Sequence, residues 1–299
     1  MLSRRRFVSL LASAAALACT RRLAAETQPG DFEVRDVAVS GDRRLGQRFT
    51  LLVPRHPMPS GPSGPLRLLV LLHGLGETGD PRAGVYAWLE RYGLADAYAR
   101  LRRPPLARQS KLPYWPEGRV EALNAALAAE PFRGLAIACP YTPDVYRAPD
   151  RTAALDDYAA WVADIVLPRA RAEAPVSAEP AHTSLDGCSL GGYVGLEVFL
   201  RKPELFGGWG SVQGALSPGR ASDYAERLAA IVARLGPRPI HLETSSEDPF
   251  RDANVALATA LQRKGVPHEL LVGSGPHNQP WLREAGTIEM LLWHDRLGR

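Results

Sequence analysis

The stretch SLDGCSLGG, at positions 184–192, decides the fold of this chain. It places Gly-x-Ser-x-Gly, centred on Ser189, between apolar residues and a helix-compatible segment at 193–200. A strand, a sharp turn and a helix in that order form a nucleophile elbow, which lifts a serine hydroxyl clear of the sheet. Gly187 and Gly191 flank the serine because a side chain at either position would collide with the neighbouring strand or helix. We therefore predict that Ser189 is a nucleophile.

Predicted strands and helices alternate on both sides of this motif. Residues 66–72 form a run that is apolar except for Arg67, which is typical of a parallel strand buried on both faces. Further strands are predicted at 32–39, 48–53, 135–139, 182–185, 207–212, 240–244 and 268–272, and helices at 85–101, 153–167, 224–235, 254–264 and 280–297. This alternation favours a mostly parallel sheet with right-handed crossovers. We expect one α/β domain over residues 26–299, with helices on both faces of the sheet.

A serine nucleophile needs a base, and the base needs an acid that orients it. On a sheet of this kind they follow the serine in the order acid, then histidine. The acid is expected in the loop after the strand at 240–244, because carboxylates at the carboxyl ends of strands point into the binding crevice. We favour Asp248, with Glu247 and Asp252 as alternatives. Asp252 could instead cap the helix that begins near residue 254.

The histidine is expected in GSGPHNQPW, at 273–281, between the last strand and the last helix. Glycine and proline hold such a loop in a fixed turn, which favours His277 as the base. Three other histidines lie at the starts of predicted strands, on the far side of a parallel sheet; these are His182, His241 and His268. Two more, His56 and His294, lie in no recognisable motif.

Two backbone N–H groups should stabilise the oxyanion that forms when the serine attacks. One is the N–H of Leu190, directly after the nucleophile, and we assign the other to Leu75 in the HGLG loop at 73–76. Gly74 lets the backbone of that loop approach a ligand closely. His73 is interpreted as a structural anchor for the loop.

With these motifs the chain resembles the α/β-hydrolase superfamily, and more narrowly its esterase D group. That group includes S-formylglutathione hydrolases and feruloyl, acetylxylan and siderophore esterases. The resemblance rests on LLHGLG at 71–76, GCSLGG at 187–192, EDPF at 247–250 and GPH at 275–277. The second elbow glycine, Gly192, is typical of the group.

The resemblance implies a serine esterase that works through an acyl-enzyme, with no metal or organic cofactor. The expected partner is a small-molecule or polysaccharide-linked ester. Acyl transfer, peptide hydrolysis and a non-catalytic binding role on the same fold stay open as alternatives, because a fold alone does not establish an activity.

The first 25 residues read as an export signal. SRRRF at 3–7 resembles the twin-arginine pattern and precedes an apolar run at 8–18. This predicts a periplasmic or extracellular protein. Cys19 could carry a lipid, which is the one case in which we expect a membrane partner.

Export changes the charge balance of the protein. The full chain has 36 Lys and Arg residues against 32 Asp and Glu, a net charge of +4. Residues 1–25 hold five arginines and no acid, so 36 less five leaves 31 basic residues and a net charge of −1. A near-neutral mature protein gives no support for a nucleic-acid partner. If Cys19 is lost, Cys139 and Cys188 remain, and an intervening strand places them too far apart for a disulfide.

A basic, proline-rich stretch at about 100–119 stands apart from these patterns. It holds six Lys or Arg residues and one acid, together with Tyr114 and Trp115. One interpretation is a cap loop over the site that favours anionic or aromatic substrates. The other, which we favour, is a solvated surface excursion with its aromatic residues packed beneath it.

Overall fold

The computed structural model describes residues 31–55 and 65–297. The export signal, Cys19 and His56 lie outside the described residues, as does most of the Pro/Gly/Ser-rich segment between the second and third strands. Over the described ranges the strands form one eight-stranded sheet in the order β1-β2-β4-β3-β5-β6-β7-β8. β2 runs antiparallel to both its neighbours, and the strands from β4 to β8 are parallel. This is the mostly parallel α/β sheet that the sequence predicted.

The strands lie close to their expected positions. Their bounds are β1 Phe32–Ala38, β2 Arg48–Pro54, β3 Leu68–Leu72, β4 Ala136–Pro140, β5 Thr183–Gly187, β6 Gly208–Val212, β7 Ile240–Glu247 and β8 Glu269–Pro276. The last two strands run three and four residues beyond the predicted ends at 244 and 272. A register shift between Ser245 and Glu247 accompanies this extension.

Helices cover both faces of the sheet. The bounds are α1 Pro81–Glu90, α2 Leu94–Arg102, α3 Arg119–Ala129, α4 Arg151–Trp161, α5 Leu167–Glu173, α6 Leu190–Arg201, α7 Ala221–Leu235, α8 Arg251–Arg263, α9 Gln279–Trp281 and α10 Thr287–Arg296. Single π-helical turns join α4 to α5 and α9 to α10.

The strand β3 shows how the two layers are built. Its residues alternate between two apolar clusters because successive side chains of a strand point to opposite faces. Leu68, Val70 and Leu72 pack with α4 to α8, whereas Leu69 and Leu71 pack with α1, α2, α3, α9 and α10. The unbroken apolar part of the run at 66–72, residues Leu68–Leu72, is explained by this burial on both faces.

One helix prediction was wrong in detail, and one helix was not predicted. The single helix expected at 85–101 is two helices, because the chain turns at Gly93, which adopts a left-handed conformation with φ 77°. The helix α3 was not predicted, although Val120, Leu123 and Leu127 form a buried stripe at helical spacing.

The basic stretch at 100–119 is anchored to the rest of the fold by hydrogen bonds. Tyr114 and Trp115 are buried beneath it. The carboxylate of Glu284 accepts hydrogen bonds from the backbone N–H groups of Gln109 and Ser110 at 3.0 and 3.1 Å and from the Trp115 indole at 2.8 Å. These bonds fasten the stretch to the π-helical turn before α10.

Candidate active site

Four neighbouring parallel strands end at the same edge of the sheet. Ser189 comes two residues after β5, Gln213 directly after β6, Asp248 directly after β7 and His277 directly after β8. Carboxyl ends of parallel strands meet along one edge, where ligands bind in open α/β sheets. The topology therefore brings the expected serine, acid and histidine to one crevice.

The backbone at Ser189 is strained. Its φ is 53° and its ψ is −117°, a combination of backbone angles that residues other than glycine rarely adopt. A Cβ added to Gly187 would overlap the backbone of Gly191, and one added to Gly191 would overlap the carbonyl of Leu72. The tight turn thus depends on both glycines, as the sequence predicted, and it presents the serine at the start of α6.

Gly192, the second elbow glycine, lies against the next strand. A Cβ at this position would overlap the hydroxyl of Ser211 and lie 2.8 Å from the Cα of Gly214. The residue after Gly214 reaches back to the elbow, since the N–H of Ala215 donates to the carbonyl of Ser189 at 2.8 Å. Gly192 therefore permits the close approach of α6 to β6.

Asp248 and His277 form a hydrogen-bonded pair. The Nδ1 atom of His277 lies 2.9 Å from Oδ1 of Asp248. The same oxygen accepts from the N–H of Phe250 at 3.0 Å, and the other oxygen accepts from the hydroxyl of Thr244 at 2.6 Å. Three partners hold a carboxylate that is screened from solvent, while the imidazole stays 27% exposed toward the crevice.

The alternative acids lie elsewhere. Glu247 is exposed, and Asp252 is exposed and 3.2 Å from Arg251. Asp252 is not a helix cap either, because α8 begins at Arg251 and Asp252 lies within its first turn. The structure thus brings Asp248, and neither alternative, to the histidine.

The HGLG loop approaches the serine closely. A Cβ built on Gly74 would lie 3.6 Å from the Cβ of Ser189. Leu75 begins a 3₁₀ turn at Leu75–Glu77, and Leu190 begins α6. Within the described residues neither of their N–H groups donates to a protein acceptor. First-turn N–H groups lack intrahelical partners, so both are free to bind an oxyanion.

His73 anchors this loop. Its Nδ1–H donates to the carbonyl of Gly74 at 2.8 Å, and its Nε2 accepts from the N–H of Thr142 at 2.8 Å. Burial lowers the pKa of His73 to about 4. The ring is therefore neutral, and both nitrogens are engaged with backbone groups, which is the structural role that the sequence suggested.

A buried network behind the loop was missed in the sequence. The N–H of Gly74 donates to the hydroxyl of Tyr92 at 3.3 Å, and that hydroxyl donates to the buried carboxylate of Glu77. Arg91 lies 3.2 Å from Glu77. Burial raises the pKa of the Tyr92 phenol, which therefore stays protonated as a donor. No sequence pattern distinguishes this buried glutamate from an exposed one.

Gln213 links the elbow to the histidine loop and was also missed. Its φ is 49°, and its side-chain Nε2 donates to the Ser245 hydroxyl at 2.6 Å and to the carbonyl of Pro276 at 3.2 Å. The preceding residue, Val212, accepts from the N–H of Ser189 at 3.1 Å. Gln213 therefore connects the backbone next to His277 with the strand that supports Ser189.

The stretch at 100–119 contacts the loop that carries His277. The carbonyl of Tyr114 accepts from the N–H of Ser274 at 3.3 Å. Gly275 has φ 119°, and a Cβ there would lie 2.7 Å from the Tyr114 ring. Tyr114 is thus packed against the turn that carries His277.

The remaining histidines do not join the site. His182, His241 and His268 lie at the beginnings of β5, β7 and β8, at the opposite edge of the sheet, as expected. His294 is buried, with Nε2 at 2.8 Å from Asp186. Cys139 and Cys188 are free and buried, and β3 lies between their strands, as expected.

The described residues contain no group of three or more His, Cys, Asp or Glu side chains arranged to hold a metal ion. No helix in residues 31–55 and 65–297 is long and apolar enough to cross a membrane.

Comparison with known proteins gives structural matches alone. No protein-family model and no curated protein sequence matches the chain. A ferulic acid esterase matches with a TM-score of 0.64 and 15% identity, over 89% of this chain and 99% of that one. An S-formylglutathione hydrolase from Staphylococcus aureus matches with a TM-score of 0.58 and 15% identity, over 89% of this chain and 98% of that one. The enterobactin esterase of Shigella flexneri matches with a TM-score of 0.56 and 18% identity, over 89% of this chain and 59% of that one.

These matches, with the sheet order and the elbow, show that the chain has the α/β-hydrolase fold. These three matched proteins are esterase-type hydrolases, the group that the sequence resembled. At these identities the likeness establishes the fold, and the chemistry must be argued from the site.

Proposed function

We propose that this chain is a serine esterase that cleaves carboxylic esters through an acyl-enzyme. The observation that carries the proposal is the 2.9 Å contact between His277 and the buried Asp248, at the sheet edge where the strained Ser189 also lies. A histidine held by a carboxylate can act as a general base toward a serine hydroxyl. The esterase names of the structural matches support the same reaction class.

The reaction follows from these roles. Nε2 of His277 takes the proton of Ser189 while Oγ attacks the ester carbonyl, and the N–H groups of Leu75 and Leu190 stabilise the oxyanion. The proton on His277 then passes to the departing alcohol oxygen as its bond to the carbonyl carbon breaks. His277 then takes a proton from water as the water attacks the acyl-enzyme carbonyl. It returns that proton to Ser189 Oγ as the bond between Oγ and the acyl carbon breaks, which releases the acid and regenerates Ser189. Asp248 keeps the proton of neutral His277 on Nδ1 and stabilises the charged imidazolium.

The test is covalent labelling of the purified protein with a fluorophosphonate probe, followed by turnover of 4-nitrophenyl acetate and butyrate. We expect the wild type to be labelled and active, and Ser189→Ala to be neither. A well-folded wild type that is not labelled would overturn the proposal and favour a binding protein on the same fold. Labelling that persists in Ser189→Ala would place the reactive group elsewhere.

We further propose that the protein is exported. The support is the SRRRF pattern at 3–7 with the apolar run that follows it. Replacing Arg4 and Arg5 by lysine together should keep the charge and retain the protein in the cytoplasm, because the twin-arginine signal requires the guanidinium pair. Arg21→Lys, outside the pattern, is the matched control and should leave the location unchanged. Equal cell-fraction distributions for the two variants would reject the twin-arginine route.

A further inference from the structure

A cavity of about 550 Å³ lies between α4, α6 and the beginning of α7, and no step of the proposed reaction uses it. Its lining is unusually rich in guanidinium groups. Four arginines face one carboxylate, that of Glu197; the arginines are Arg151, Arg201, Arg220 and Arg227.

The lining of this cavity begins one helical turn beyond the nucleophile. Tyr193, which lines it, is one helical turn beyond Ser189 and donates its N–H to the Ser189 carbonyl at 3.3 Å. Glu197 is a further turn along α6, about 12 Å from Ser189 at the helical rise of about 1.5 Å per residue. The Ala215 backbone, which also contacts Ser189, leads into the turn at Pro218–Arg220 on the cavity wall. The cavity thus follows α6 over the three turns beyond Ser189, from Tyr193 to Arg201.

The ion pairs at the cavity leave an excess of positive charge. Arg201 pairs with Glu197 and, at 2.6 Å, with Asp156. Arg220 lies 2.8 Å from the exposed Asp223. Among the ion pairs of the described residues, none involves Arg151 or Arg227.

Aromatic rings hold two of the guanidinium groups in place. Arg151 lies 4.6 Å from the ring centre of Tyr146, which stacks on Tyr193 at 5.6 Å. Arg220 lies 4.9 Å from the ring centre of Tyr224. A planar guanidinium stacked on a ring presents its N–H groups at its edge, where they suit carboxylate and phosphate oxygens. Arg220 already uses one such group to donate to Asp223, and Arg151 is hydrogen-bonded to the Tyr193 hydroxyl.

We propose that this cavity binds an anionic group, a carboxylate or a phosphate, carried by the ester substrate. The inference rests on the proposed esterase function and adds the substrate class. The anionic group lies on the order of 10 Å from the ester carbonyl, as the position of the cavity along α6 requires. Short neutral esters reach the serine without reaching the arginines.

The first test measures binding without catalysis. Suberate, an eight-carbon dicarboxylate, and inorganic phosphate are titrated separately into Ser189→Ala protein by calorimetry. We expect at least one of them to bind, and Arg227→Met in the same background to weaken that binding about fivefold to tenfold, as for the loss of one charge-assisted hydrogen bond near a surface. Arg234→Met is the matched control, since Arg234 is exposed on the same helix outside the cavity; it should leave binding unchanged. Binding of neither anion, or equal weakening by both variants, would overturn the proposal.

The second test measures selectivity in the active enzyme. The substrates are the 4-nitrophenyl monoester of suberate and 8-acetoxyoctanoate, which place the carboxylate on the acyl and alcohol sides, each paired with its methyl-ester derivative. We expect the anionic member of one pair to have the higher kcat/KM. Arg227→Met should lower the ratio of kcat/KM for the anionic substrate to kcat/KM for its methyl ester about fivefold to tenfold. Added NaCl should also lower it through screening. No preference in either pair would overturn the inference. Loss of all turnover with anion binding intact would count against the esterase function alone.

Discussion

The imidazole Nδ1 of His277 lies 2.9 Å from a carboxylate oxygen of Asp248 whose side chain is fully screened from solvent. A buried carboxylate in this position fixes the imidazole tautomer and stabilises the imidazolium that forms during proton transfer. The bonds from Thr244 and Phe250 fix the carboxylate itself. The orientation of the base therefore depends on one residue of the β7–α8 loop.

Asp248→Asn should lower kcat by roughly a thousandfold or more, because an amide in this position favours the wrong histidine tautomer. The measurement is turnover of 4-nitrophenyl acetate by the variant. Asp252→Asn serves as the control, since that carboxylate is exposed and distant from the imidazole, and its kcat should match the wild type. A comparable loss in both variants would show that the acid has been misassigned.

Ser189→Gly should be more stable than Ser189→Ala by about 1 kcal/mol. Alanine keeps the Cβ that makes a φ of 53° unfavourable, whereas glycine adopts such backbone angles freely. Relief of the strain exceeds the extra chain entropy of glycine in the unfolded state. Urea unfolding of the two inactive variants gives the difference, and an equal or lower stability for the glycine variant would argue against strain at the elbow.

Tyr92→Phe should lower both stability and kcat. The change removes the hydroxyl that donates to buried Glu77 and accepts from Gly74, and a buried polar group without its partner costs about 1–3 kcal/mol. The loop that carries Leu75 then loses an anchor, so we expect kcat to fall about tenfold, in line with a displaced oxyanion donor. Tyr86→Phe is the matched control, because its hydroxyl contacts Asp36 at 3.1 Å, away from the site. An unchanged kcat in Tyr92→Phe would restrict this network to a stabilising role.

Neutral His73 should make the free energy of unfolding fall as the pH drops below about 6.5, whereas burial raises the pKa of the Asp186 and Glu243 carboxyls, which act in the opposite direction. Burial lowers the pKa of His73 to about 4, and those of His241 and His294 to about 3, so the unfolded chain takes up protons before the folded one does. The stabilisation by neutral His73 is complete above pH 6.5 and is lost progressively down to its folded pKa. The loss of free energy of unfolding from His73 amounts to about 2 kcal/mol by pH 5.

Denaturant unfolding between pH 7 and pH 4.5 checks this, with an NMR titration to assign the His73 ring. His73→Gln should make the fall shallower. An equal pH dependence of stability in His73→Gln and the wild type, or a His73 ring that titrates near pH 6.5 in the folded protein, would contradict the prediction.

The local patterns of the sequence were enough for the fold and for the backbone of the site. The run at 66–72, the alternation of strands with helices, and the Gly-x-Ser-x-Gly turn each depend on residues close together in the chain, so periodicity and turn chemistry reveal them. The order of serine, acid and histidine then followed from the order of the strands. The elbow glycines could be interpreted because their steric role is local.

Only the tertiary structure distinguished Asp248 from Glu247 and Asp252. The three lie within six residues, and which carboxylate faces His277 depends on how β7 ends beside β8, where the register shifts between Ser245 and Glu247. The tertiary structure likewise brought Tyr92 to Glu77, Gln213 to Pro276, and the arginines of α4, α6 and α7 to one cavity. Such contacts join segments far apart in the chain, and their energy depends on burial and direction, which neighbouring residues in a sequence do not encode.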